Sequence, residues 1–200
     1  MPVLGSWVLE PQQKFHPDYV YDIAFIGNQF KYGKKFLKLF KDFSLHFKIV
    51  FIGLMDQKYF LKHLKNEGWN MDNVEFHKRI DDEEEFRYFL TKTKVVIDTP
   101  DYSGGSSNIY ALRSGTPVLT LKGKYLTDGM ISSVLKEMDL DELCFDDVEG
   151  MKKFLNSKSS LEFKKYRDYI IDKTSKSLQF QPKEFLSVLH ARILEAFNAS

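Results

Sequence analysis

The run from Asp98 to Leu121, DTPDYSGGSSNIYALRSGTPVLTL, carries the residues best suited to chemistry. Four small residues, Gly104-Gly105-Ser106-Ser107, stand between an apolar run that ends at Asp98 and a segment with helical character. The start of a helix offers unpaired backbone N–H groups and the positive end of the helix dipole, and both attract phosphate. Glycines let a diphosphate approach the backbone closely, and serines add hydroxyl donors. The turn therefore predicts a phosphate-binding site, with a tight turn and an ordinary serine cap as the alternative.

Other catalytic and metal-binding motifs have less support. The segment GNQFKYGKK (27–35) differs from a Walker A loop, because five residues separate Gly27 from Gly33 and Lys35 stands where Ser or Thr is required. The five histidines show no metal-ligand spacing. The single Cys144 excludes an internal disulfide and a cysteine metal cluster. We expect no metal and no other cofactor.

The segments on both sides of the turn alternate between strand and helix patterns. Short β-rich apolar runs lie at 21–27, 47–53, 73–77, 94–99 and 117–121, with a weaker sixth near 142–145. Helical spacing is found at 34–43, 58–68, 82–93 and 107–115, and two closing helices are expected at 161–174 and 182–197. This order predicts an α/β fold: a single Rossmann-like domain with a parallel sheet of about six strands and helices on both faces. Residues 1–20 are proline-containing and aperiodic, so we expect a linker or extended arm before a domain at 21–200.

Composition limits the classes of protein to consider. The 200 residues are 43% hydrophobic and 28% charged, with a formal net charge of +1, which argues against a nucleic-acid binder. No apolar run reaches the roughly 18–20 residues of a membrane span, and the N-terminus lacks the features of a signal peptide. We therefore expect a cytoplasmic protein. The lysines between Lys31 and Lys41 leave peripheral association with the inner face of a membrane open as an alternative.

The run 98–121 resembles the donor-binding motif of GT-B glycosyltransferases, and it is most similar to the branch that contains the O-linked N-acetylglucosamine transferases. The residues that match are Asp98-Thr99-Pro100, Gly104, Ser106-Ser107 and Gly115-Thr116-Pro117-Val118. The resemblance implies that residues 21–200 are the C-terminal domain of such an enzyme, which binds the nucleotide-sugar, here a UDP-sugar. It implies no metal requirement.

The same resemblance implies roles for individual residues. A cation in the loop after the first strand stabilises the departing diphosphate; Lys31 fits this role by position, with Lys34 and Lys35 as substitutes. A solvated lysine face on a helix is the alternative for each of them. The loop after the third strand borders the nucleobase, through Arg79, Ile80 and Asp81. The donor's diphosphate and ribose are expected at Gly104, Gly105, Ser106, Ser107, Asn108 and Tyr110.

The departures from the family pattern affect ribose recognition and stereochemistry. Gly105 stands where the family commonly has His, and Tyr110 stands where it has the Asp that holds the ribose hydroxyls. The two glutamates of the retaining branch correspond to Tyr102 and Tyr110, so an inverting reaction is expected. Either ribose recognition rests on another group, with Asn108 and Tyr110 as candidates, or the donor is not a usual UDP-sugar. Reduced or lost activity is a further alternative.

A GT-B enzyme has two such domains, and this chain is expected to hold only the donor half. The acceptor site then belongs to a missing N-terminal domain or to a partner subunit, and the isolated chain is expected to be inactive. Two other functions remain open. One is half of a nucleotide-sugar 2-epimerase, although the turn lacks the acidic and histidine side chains that such enzymes need. The other is a non-catalytic, degenerate transferase module that binds a partner.

Overall fold

A six-stranded, parallel β-sheet forms the centre of the protein. The computed structural model describes residues 18–100, 104–122 and 130–177. The strands are β1 (Tyr21–Ile26), β2 (Ile49–Ile52), β3 (Val74–His77), β4 (Thr93–Ile97), β5 (Val118–Leu121) and β6 (Cys144–Phe145). Their order in the sheet is β3-β2-β1-β4-β5-β6, and each neighbouring pair is parallel. The predicted doubly wound α/β architecture is confirmed.

Helices connect the strands and cover both faces of the sheet. They are α1 (Lys34–Phe40), α2 (Gln57–Asn66), α3 (Glu83–Thr91), α4 (Gly105–Arg113), α5 (Met130–Glu137), α6 (Val148–Asn156) and α7 (Ser160–Lys176). Ile23, Ala24 and Phe25 of β1 are all completely buried, although successive strand side chains point to opposite faces. Both faces of the central strand are therefore covered.

The observed helices differ from the sequence predictions at a few places. The helix predicted over 34–43 ends at Phe40 and continues as a 3-10 turn over Lys41–Leu45. Helices α5 and α6 were not predicted, and Gly150 inside α6 weakens the helical signal there. Most of the predicted arm (residues 1–17) and the closing helix predicted at 182–197 lie outside the described residues.

Aromatic side chains fill the core between the sheet and helices α1 and α2. Phe25 stacks on Phe51 at a centroid distance of 5.1 Å and meets Phe36 edge-on at 4.9 Å. Tyr32, which lies in the loop between β1 and α1, enters this cluster and is only 3% exposed. Its ring lies 5.2 Å from Phe51. The core thereby anchors the loop that follows β1.

The buried hydroxyl of Tyr32 gives a test of this packing. It has no hydrogen-bond partner in the described part of the chain. Because an unpaired buried polar group is costly, we expect Tyr32→Phe to raise the free energy of unfolding by about 1 kcal/mol. Tyr21→Phe is the matched control, since the Tyr21 hydroxyl donates a 2.7 Å hydrogen bond to Glu75, and this change should lower stability. Denaturant unfolding measures both, and equal losses in the two variants would contradict the packing described.

Candidate functional site

A cleft of about 450 Å³ opens at the C-terminal ends of the strands. It is lined by the turns that follow β1 and β2, by the β3–α3 connection and by the first turns of α3 and α4. The strand order reverses between β1 and β4, so the cleft lies at the topological switch point of the sheet. Open α/β sheets bind their ligands at such points.

Two glycines form the floor of the cleft. The N–H of Gly27 donates to the carbonyl of Ile52 at 2.9 Å, which holds the ends of β1 and β2 together. Gly53 has a φ of 148°, and a Cβ on it would lie 1.8 Å from the carbonyl oxygen of Gly27. No side chain fits between these backbones. The sequence shows both glycines at strand ends, but nothing in it shows that they touch.

Lys31 reaches from the β1 loop to the start of α4. A Cβ on Gly27 would lie 2.7 Å from Lys31 Cδ, and a Cβ on Gly104 would lie 3.3 Å from Lys31 Nζ. Gly27 therefore leaves space for the aliphatic part of the Lys31 side chain, and Gly104 leaves space for its ammonium group. Burial lowers the pKa of Lys31, and the negative charge of Asp98 opposes that shift. The cation is half-buried at the glycine-serine turn.

Asp98, directly after β4, organises this turn. One carboxylate oxygen accepts hydrogen bonds from the N–H of Gly104 at 2.8 Å and from Asn108 Nδ2 at 2.7 Å. The other oxygen accepts from Thr120 Oγ1 at 3.3 Å. Asp98 is only 3% exposed, so these bonds form in a dry environment where they are strong. The carboxylate fixes the first turn of α4 to two strands of the sheet.

The N-terminus of α4 offers hydrogen-bond donors to the cleft. Helices α2, α3, α6 and α7 have side-chain caps, from Asp56, Asp82, Asp147 and Ser159, whereas Gly104 gives α4 none. The N–H of Gly104 is used by Asp98, but the described part of the chain provides no partner for the amides of Gly105, Ser106 and Ser107. Ser106 is exposed, and both serines line the cleft. Unpaired amides at a helix start are suited to an anion.

The other end of the cleft is acidic and aromatic. Arg79, Ile80 and Asp81 from the β3–α3 connection line it. Arg79 Nε and Asp81 Oδ1 form an ion pair at 2.6 Å, and both side chains are largely exposed. Tyr110 on α4 meets Phe86 on α3 edge-on, with a centroid distance of 6.3 Å. This end therefore combines charged side chains with aromatic rings.

The structure separates the predicted site residues into three groups. The cleft brings together Arg79, Ile80, Asp81, Ser106, Ser107 and Tyr110, whereas Lys31, Gly104 and Gly105 lie beside this lining without belonging to it. Lys34 instead lines a separate depression between α1 and α2, and Lys35 is exposed on α1. The third group is Asn108, which is 2% exposed and directs its amide to Asp98. It therefore lies beneath the cleft and supports the turn.

Sequence reasoning missed several residues of the site. The motif contains Asp98, but the sequence predicts no role for it. The signal available was its place at the end of an apolar strand, because an acid buried there must be hydrogen-bonded. The sequence shows Gly27 and Gly53 only as the last residues of two apolar runs. Glu83 and Phe86 line the acidic end, but the sequence predicts only that they belong to a helix.

Two further observations concern metals and membranes. Among the described residues, no group of three His, Cys, Asp or Glu side chains is arranged to hold a metal ion. None of the helices in this part of the chain combines the length and apolar character needed to cross a bilayer.

Comparison with known proteins identifies the fold. No protein-family model matches the chain, and no curated protein matches it either. Among solved structures, it is similar to a mutant of the Thermobaculum terrenum O-GlcNAc transferase, with 18% identity and a TM-score of 0.73 over 92% of this chain. It is also similar to S. aureus TarM, in a complex that includes UDP, with 13% identity and a TM-score of 0.61 over 90% of this chain.

These similarities show a GT-B glycosyltransferase-like fold, as the resemblance of residues 98–121 predicted. The chain spans 38% of the length of the O-GlcNAc transferase and 37% of that of TarM.

The Asp98 network gives a direct prediction. In Asp98→Asn, an amide group with its own donors replaces a carboxylate that accepts three hydrogen bonds. We expect the free energy of unfolding to fall by at least about 2 kcal/mol, because buried bonds to a charged group are strong. Asp146→Asn is the matched control, since Asp146 is largely exposed in its ion pair with Lys122 and should matter little. Similar small changes in both variants, measured by denaturant unfolding, would contradict the anchoring role.

Proposed function

We propose that this chain is the donor-binding half of a glycosyltransferase and that its cleft binds a nucleotide-sugar. The observation that carries the proposal is the phosphate-attracting end of the cleft. There, the Lys31 ammonium lies beside Gly104, and the amides of Gly105 to Ser107 are without partners in the described part of the chain. The position at the switch point and the GT-B-like fold support the same function.

The proposed chemistry assigns a role to each group at this end. The amides and the hydroxyls of Ser106 and Ser107 bind the diphosphate oxygens of the donor. When the bond between sugar and diphosphate breaks, negative charge develops on the leaving nucleotide, and Lys31 stabilises it. Lys31 is half-buried, so its charge acts in a less polar medium than bulk water. Because TarM was solved in complex with UDP, UDP is the first nucleotide to test.

The acceptor is proposed to come from another domain or subunit. The chain corresponds to less than two fifths of the length of the similar enzymes. Two large apolar side chains follow the strands that end at the cleft: Phe30 after β1 is 87% exposed, and Leu54 after β2 is 61% exposed. Covering these side chains with an acceptor-binding partner would remove apolar surface from water. Transfer, with inversion at the sugar carbon, is therefore expected only in the presence of that partner.

The proposal predicts which lysine binds the nucleotide. In calorimetric titrations of the full chain with UDP, we expect Lys31→Ala to weaken binding about 10- to 100-fold, the effect of losing hydrogen bonds to a charged group. Lys34→Ala is the matched control, because Lys34 lines the separate depression, and it should leave the affinity nearly unchanged. Equal losses in the two variants would overturn the role of Lys31. No binding of UDP or of other nucleoside diphosphates to the unmodified chain would overturn the proposed function itself.

The serine hydroxyls give an independent prediction. The double change Ser106→Ala and Ser107→Ala should weaken UDP binding by about 1–3 kcal/mol, because both hydroxyls are proposed to bond charged oxygens. Ser175→Ala, near the C-terminal end of α7 and outside the lining of the cleft, controls for the loss of a hydroxyl elsewhere. An unchanged affinity in a double variant with an unchanged melting temperature would show that the diphosphate does not contact these side chains.

A further inference from the structure

The two ends of the cleft differ in charge, as the two parts of a nucleoside diphosphate do. One end is lined by Ser106 and Ser107, whose amides have no partner in the described part of the chain, and Lys31 lies beside it. Asp81, Asp82 and Glu83, from the β3–α3 connection and the first residue of α3, line the other. Phosphates need donors and positive charge, whereas ribose and base present hydroxyl and N–H donors that need acceptors. A ligand bound at the acidic end therefore needs a carboxylate with an oxygen that can accept its hydrogen bonds.

Two of the three acids are already engaged. Asp81 Oδ1 pairs with Arg79 at 2.6 Å. Asp82 caps α3, with its Oδ1 accepting from the N–H of Glu85 at 2.8 Å. Glu83 differs, because its Oε1 is buried and has no hydrogen-bond partner among the described residues. A desolvated carboxylate oxygen without a donor is costly, and a ligand that supplies donors relieves that cost.

The neighbours of Glu83 show that its side chain lies on the side of the cleft where α3 meets α4. Phe86 follows Glu83 by three positions, so the two side chains share one face of α3. Phe86 is in edge-on contact with Tyr110 of α4. Burial lowers the pKa of Arg113, one turn further along α4, and the negative charge of Glu83 opposes that shift, so the two side chains lie near each other. Glu83 thus faces α4, beside the residue that replaces the family's ribose-binding acid.

We propose that Glu83 accepts hydrogen bonds from the ribose hydroxyls of the bound nucleotide, with Tyr110 flanking the sugar. This inference rests on the proposed function. The vicinal hydroxyls of ribose supply two adjacent donors, which match a carboxylate that can turn about its terminal torsion. Tyr110 lies one helical turn, about 5.4 Å, beyond the serines of the diphosphate site. The ribose is joined directly to the diphosphate, so it occupies this position, while the base extends towards Arg79 and Ile80.

The test combines variants of Glu83 with nucleotides that lack one hydroxyl. Titrations compare UDP, 2′-deoxy-UDP and pyrophosphate on the full chain. The unmodified chain should prefer UDP over 2′-deoxy-UDP by about 10- to 100-fold, the range for one hydrogen bond to a charged acceptor. The preference should fall to about fivefold in Glu83→Gln, whose amide oxygen is a neutral acceptor, and should vanish in Glu83→Ala. Pyrophosphate affinity should stay the same in all variants.

Two controls separate the loss of the Glu83 carboxylate from a general loss of charge or of stability. Glu84→Ala removes the next acid on the same helix, and because Glu84 is exposed, it should leave the preference unchanged. Since Glu83 Oε1 makes no hydrogen bond with the described residues, Glu83→Ala should lower the melting temperature little more than Glu84→Ala, which removes another acid from the first turn of the same helix.

The possible failures are distinguishable. If UDP binds but the preference for the 2′-hydroxyl is absent, or is equal in Glu83→Ala, the ribose assignment is overturned while the proposed function stands. If Glu83→Ala instead lowers the affinity for UDP and 2′-deoxy-UDP equally, the carboxylate does not bond the 2′-hydroxyl, and the assignment to the vicinal pair is overturned. If neither UDP nor pyrophosphate binds the unmodified chain, the proposed function itself is wrong.

Discussion

The buried carboxylate of Asp98 is the constraint on which the rest of the site depends. It joins the end of β4 to the backbone of Gly104, to Asn108 inside α4 and to Thr120 on β5. By using the N–H of Gly104, it fixes the direction in which the helix leaves the sheet, and Ser106 and Ser107 then lie in the lining of the cleft. Its negative charge also attracts the Lys31 ammonium, against the desolvation that burial imposes on that cation. One anion thereby positions both the helix start and the lysine for which the phosphate site is proposed.

The opposite polarity of the two cleft ends follows from ordinary features of the fold. Parallel strands deliver their loops to one edge, and the switch point between β1 and β4 leaves a gap between the loops there. Tyr32, held in the aromatic core, anchors the β1 loop, while the β3–α3 connection carries the acids that begin α3. Acids at a helix start complement its dipole, but here one of them, Glu83, also retains an oxygen without a hydrogen-bond partner among the described residues. The same local rule thus supplies the carboxylate for which the ribose contact is proposed.

The sequence predicted the architecture well and the site only in part. The alternation of short apolar runs and amphipathic segments is a local signal, so the parallel sheet and the turn at Gly104 could be foreseen. The contact between Lys31 and Gly104 could not, because it depends on how the β1 loop packs in the core. Asn108 was expected to face a ligand, but burial and Asp98 turn it inward. Which acid of the run 81–85 remains without a hydrogen bond depends on cap geometry, which composition does not reveal.

The central claim is that the amides of Gly105, Ser106 and Ser107 bind phosphate oxygens. Amide proton chemical shifts of the isotopically labelled chain, followed during titration with UDP, test it most directly. The account predicts that these three amide protons move downfield as they form hydrogen bonds, while the amide of Gly104, already bonded to Asp98, moves little. Saturable shifts confined to other parts of the chain, with the three amides unmoved, would contradict it.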